Sequence, residues 1–180
     1  ADEWPDGIAF YTAVLEADYL INIPVCKTHG SANFSMALKG WYGNVPGSAR
    51  TQSHSNVATI SRTMAEMHLV KREDFVVLDA TSCLLTGGPQ VGGGVVAEPG
   101  IVVATRDAIA ADVTGLCILK HHLQQTGTSN SRISDTAVWD QPQIARAMAL
   151  ASLGWLTGKQ SFPYRSQGID EIATLMAYRD

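Results

Sequence analysis

The chain has 180 residues, 46% of them apolar and 17% charged, with a formal net charge of -4. It is long enough to bury a core of its own and too apolar for a disordered segment. The acidic balance argues against nucleic acid as a partner, and no apolar run approaches the ~20 residues of a membrane span.

Strands and helices alternate along the chain. Ile8 to Ala17 has apolar residues at helical spacing. Tyr19 to Val25 is a short run rich in Ile and Val, interrupted at Pro24, and its pattern predicts a buried strand. Lys27, Thr28 and His29 follow, in the position of a loop just beyond that strand. Asn33 to Trp41 returns to helical spacing and breaks at Gly43 and Pro46. His54 falls in a polar stretch before a second amphipathic helix over Asn56 to Leu69.

Phe75 to Asp79 (FVVLD) and Gly100 to Thr105 (GIVVAT) read as further strands. Between them, TGGPQVGGG has the composition of a lid or hairpin-like excursion. Asp107 is placed to cap a helix running to His121, and Gln124 to Thr136 reads as a surface loop. Pro142 suits the first position of another helix, and Ile169 to Tyr178 predicts a last short one. The alternation predicts an α/β fold with a mainly parallel sheet and helices on both faces, as one domain over residues 1–180 or part of a larger one.

In such folds, sites gather at the carboxyl ends of strands. Lys27 and Lys39 are candidates for holding an anion, and His29 for moving a proton. Asp79, at the end of its strand, is a candidate to orient His29, and this makes Lys27, His29 and Asp79 the expected catalytic set. Thr28, Lys39, His54 and the backbone of Gly87 and Gly88 are the expected substrate contacts. Asp112, among small apolar neighbours, needs a salt bridge or a place in the polar site.

TGGPQVGGG is neither a phosphate-binding loop ending in GK[ST] nor a dinucleotide fingerprint, and no GxSxG elbow or HExxH spacing occurs. Cys26, Cys83 and Cys117 are too far apart in sequence for a CxxC pair, so the expectation is reduced thiols and a cytoplasmic protein.

The stretch ADYLINIPVCKTHG, followed by ALKG, resembles the signature of the domain-of-unknown-function family 362. ATRDAIAADVTG and QIARAMALASLGWLTG resemble its later segments. The matching positions are Asn22, Pro24, Lys27, Thr28, His29, Gly30, Lys39, Gly43, Asp79, Gly87, Asp107 and Asp112, while Gly40 stands where Asn is usual. The resemblance implies the C-terminal part of a longer protein and an N-terminal domain or an iron–sulfur protein as partner. No cysteine motif for such a cluster lies in this chain. The expected function is that of an uncharacterised enzyme acting on a small anionic substrate, redox-linked to an iron–sulfur partner. The alternative is a non-catalytic domain that binds a metabolite or a metal.

Overall fold

The computed structural model describes residues 3–4, 6–54, 59–89, 92–150, 165–169 and 171–179. It is an α/β structure organised around one long strand, β4 (Phe75–Leu84). Two short strands, β1 (Ile21–Asn22) and β2 (Val25–His29), lie end to end along one edge of β4, and both run parallel to it. β3 (Asn33–Ser35) adds to β2 antiparallel. On the other edge of β4, β5 (Val96–Ala97) and β6 (Ile101–Thr105) pair antiparallel. The sheet is therefore mixed, with its parallel ladders on the β1–β2 edge.

Pro24 explains why the first apolar run yields two strands. Its missing N–H interrupts the ladder, but its carbonyl still accepts the Asp79 N–H at 2.8 Å. The chain keeps its course along β4 and resumes as β2. The Lys27–His29 segment, expected as a loop, is thus the body of a strand.

Asn33 to Trp41 also departs from the expected helix. The turn after His29 folds the chain back, setting Phe34 opposite Thr28 and Asn33 opposite His29. Only Ala37–Gly40 forms a helical turn (α2), after α1 (Thr12–Glu16). Cross-strand pairing overrides the helical spacing there. A second difference is His54, which ends helix α3 (Gly47–His54) rather than lying in a loop. Pro46 restricts the entry to that helix, and Thr51 and Ser53 bond back onto the carbonyls of Gly47 and Ala49.

Helix α4 (Ile60–Met67) lies within the expected span, whose residues 55–58 fall outside the described ones. Helix α5 (Ala108–Thr126) crosses the sheet and carries most of the core. Asp107 caps it as expected, accepting the Ala110 N–H at 2.9 Å. Among the described residues α6 (Ser131–Ser134) follows, inside the expected loop, then α7 (Pro142–Ala149) and α8 (Ile172–Met176). Buried Glu66 pairs with Arg146 and ties α4 to α7.

The pleat divides the sheet into two unlike faces. Val76, Leu78, Ala80 and Cys26 are fully buried, beneath α5. On the opposite face, Ile21, Val25 and Val102 are exposed and Phe75 and Val77 only half-buried. No helix of the described residues is long and apolar enough to cross a membrane.

Candidate functional site

β2 delivers Lys27, Thr28 and His29 to the open end of the sheet, and the turn behind them sets the chemistry of the imidazole. His29 Nδ1 accepts the N–H of Ser31 at 3.1 Å and of Ala32 at 3.3 Å. A nitrogen that accepts two backbone N–H groups carries no proton of its own, so the neutral ring bears its hydrogen on Nε2. Burial, then the charges of Lys39, His54 and Lys27, lowers the ring to about 4. His29 is therefore neutral at neutral pH and presents an N–H donor.

The other basic groups converge on it. The rings of His29 and His54 are 6.3 Å apart between centroids, and Tyr42 packs edge-on to His54 at 4.8 Å. Lys39 Nζ lies 4.6 Å above the Tyr42 ring. Burial, with the nearby Lys27 charge, lowers the Lys39 ammonium to about 8. Lys27 Nζ donates to the Pro89 carbonyl at 3.3 Å, which joins the strand to the glycine loop. None of the charges acting on His29 and Lys39 is a carboxylate.

On the far side of His29 opens a crevice of about 450 Å³, within the range of small-ligand sites. Thr28, Gly87, Gly88, Asn130 and Arg132 line it together with His29. The Thr28 hydroxyl is buried without a hydrogen-bond partner among the described residues. Gly88 packs so closely on β2 that a Cβ there would overlap the Thr28 carbonyl, and its loop is flanked by the antiparallel β4–β5 pair. Arg132 holds the Gly30 carbonyl across the rim.

The structure thus brings together Lys27, Thr28, His29, Lys39, His54, Gly87 and Gly88. It places Asp79 apart. The carboxylate of Asp79 accepts the Thr81 hydroxyl at 2.6 Å and the Thr81 N–H at 2.9 Å, and these bonds hold it below its usual range. Asp79 sits at the level of Val25, whereas Lys27 is level with Leu84, because the register shifts between these two points. Asp112 takes neither expected role. It is fully buried, caps α2 by accepting the N–H of Ala37 at 2.6 Å and of Leu38 at 3.2 Å, and burial raises its carboxyl. Arg132 and Tyr42 were not singled out from the sequence. Tyr42 follows ALKGW directly, which is a readable signal, while Arg132 lies in a Ser-rich stretch that carries none.

A family model described as "Domain of unknown function (DUF362)" matches residues 2–117. The chain belongs to this family. The match takes in the whole basic cluster and Asp112 but stops short of Arg132 and of the later stretch, QIARAMALASLGWLTG, that resembles the family. The chain is also 28% identical over 102 residues to a protein of Synechocystis sp. named thylakoid-associated protein sll1697. That alignment covers 54% of this chain and 31% of the relative, so the chain spans only about a third of the relative's length. No solved structure matches.

The cysteines do not fit an iron–sulfur cluster within this family member. Cys26, Cys83 and Cys117 are all buried in the core, and burial and the neighbouring Cys83 push the Cys26 thiol up, away from the thiolate a metal needs. Among the described residues no three His, Cys, Asp or Glu side chains converge as a metal site.

Proposed function

We propose that this domain is an enzyme that binds a small anionic substrate at the end of β2. Lys27 and Lys39 hold the anion, His29 donates through Nε2–H, and Thr28 with the Gly87–Gly88 backbone shapes the adjoining crevice. The observation that carries the reading is the set of four basic side chains with no carboxylate among them. Each neighbour raises the cost of protonating the next, and an anion removes that cost. A solvated loop of lysines has no such convergence. A redox link to an iron–sulfur partner would place the cluster on that partner, since the cysteines of this chain do not supply it.

Titration of the 180-residue chain with oxalate, followed by calorimetry, tests the reading. The expected result is saturable binding that weakens roughly tenfold or more in Lys39→Ala. Binding unchanged in both Lys27→Ala and Lys39→Ala would overturn it.

A further inference from the structure

We infer that His54 and His29 form an acid–base pair for proton transfer next to a carbonyl, with a 2-oxo acid as the ligand class. The inference rests on the anion-binding reading and adds what the ligand carries beside its carboxylate.

Hydrogen bonding fixes the two rings in opposite tautomers. His29 Nδ1 accepts two N–H groups of its turn, so its proton is on Nε2. His54 Nδ1 lies 2.8 Å from the Arg50 carbonyl one helical turn back. A carbonyl only accepts, so in His54 the proton is on Nδ1 and the free lone pair is on Nε2. One ring therefore offers a donor and the other an acceptor, with centroids 6.3 Å apart. The two rings are thus neighbours within the span of one small ligand. His54 is exposed, so its Nε2 edge is open to a ligand.

The chemistry follows from those roles. Lys27 and Lys39 neutralise the carboxylate. His29 Nε2–H bonds to the carbonyl oxygen, a task for a neutral imidazole. His54 Nε2 takes a proton from the carbon next to the carbonyl. The C–H electron pair becomes the enolate C=C, the carbonyl π pair moves to oxygen, and the His29 N–H stabilises that oxyanion. Returning the proton from His54 restores the keto acid, so the step balances without an oxidant or a co-reactant.

Pyruvate in deuterium oxide is the probe, with the methyl signal followed by proton NMR. The expected result is deuterium uptake at neutral pH that falls roughly a hundredfold or more in His54→Asn. That variant keeps a donor for the Arg50 carbonyl. His29→Asn, which keeps an acceptor for Ser31 and Ala32, should also slow uptake. Nitrogen-15 spectra of the imidazoles should show the proton on Nε2 of His29 and on Nδ1 of His54. The opposite tautomer in either ring, or uptake at the same rate in His54→Asn, overturns the pair. Oxalate binding without any deuterium uptake overturns the pair and leaves the anion site standing. Loss of oxalate binding removes the anion site and the pair with it.

Discussion

Two histidine-centred clusters each involve a residue of α2, Leu38 in one and Lys39 in the other, and they are built on opposite principles. Around His68 the polar groups face complementary partners. Its Nδ1 is 3.1 Å from Glu73 Oε2 and its Nε2 is 3.1 Å from the Leu38 carbonyl, so both ring nitrogens face acceptors. Glu73 also accepts the Trp41 indole N–H at 2.6 Å and the Asn22 amide at 3.3 Å. Burial works to raise the Glu73 carboxyl, but its interactions with His68, a backbone N–H and the hydrogen bond from Trp41 outweigh it and leave the group below its ordinary value. Around His29 the charges that act on the ring, among the described residues, are those of Lys39, His54 and Lys27. The first cluster is closed and binds β1, α2 and α4 together. The second keeps unbalanced positive charge at a surface crevice. What separates the structural polar cluster from the candidate site is here the residual charge, since both contain a histidine, an aromatic ring and buried polar atoms.

The largest effect should come from breaking the closed cluster. Glu73→Ala removes the acceptor of Trp41, the carboxylate facing His68 and a partner of Asn22 at one stroke. Leaving a buried ring and an indole N–H unpaired costs about 3–5 kcal/mol. Urea unfolding should show a loss of that size, against a loss of less than about 1 kcal/mol for Lys39→Met, which removes only an uncompensated charge. If the two variants were equally destabilising, the contrast between the clusters would fail.

A smaller effect is expected at the loop that bounds the crevice. Gly88→Ala places a methyl group against the Thr28 carbonyl, and the loop must move away from β2. The cost is about 1–3 kcal/mol of overpacking, and Lys27 should lose its bond to Pro89 in the same displacement. Oxalate binding should weaken together with stability. In Gly92→Ala, where a Cβ meets nothing within 4 Å, neither should change. That difference separates a crevice wall from a merely flexible glycine run.

Much of the candidate site is readable as a local cluster because its residue types are concentrated in one segment. Lys27, Thr28 and His29 lie together in sequence, and Lys39 follows within a helical turn of the same hairpin, so a local reading already groups them. The β-α alternation and the cap at Asp107 were legible for the same reason, since local pattern decides them. Asp79 was misplaced because its relation to Lys27 depends on register. A shift between Val25 and Lys27 moves the two residues to different levels of β4, and nothing in either strand's sequence announces it. The donor role of His29 was hidden too, because it depends on the Ser31 and Ala32 N–H groups folding back onto Nδ1. Gly40 shows the same limit from another side. The position usually held by Asn packs here against the Asn22 amide, where a Cβ would stand 2.7 Å from Oδ1.

The finest test of the contrast is pH, because the open cluster titrates against its own charge. Lys39 in the folded chain gives up its proton near 8, whereas its ordinary value is 10.5. Between those values the unfolded chain holds a proton that the folded chain has released, so stability rises with pH across that interval. The cost of the buried ammonium is fully present below about 8. His29 behaves in the same sense lower down. Its ordinary value is 6.5 and its folded value about 4, so stability falls as the pH drops through that interval. A bound anion reverses the penalty at Lys39 by favouring the ammonium. Oxalate affinity should therefore be flat below about 8 and fall above it, by at most roughly tenfold per pH unit. Lys39→Met should remove the fall and also narrow the lower His29 interval, because it takes away a charge that holds His29 down. Calorimetry from pH 6 to 10 reads the slope directly, and a slope unchanged in Lys39→Met would place the titrating charge elsewhere.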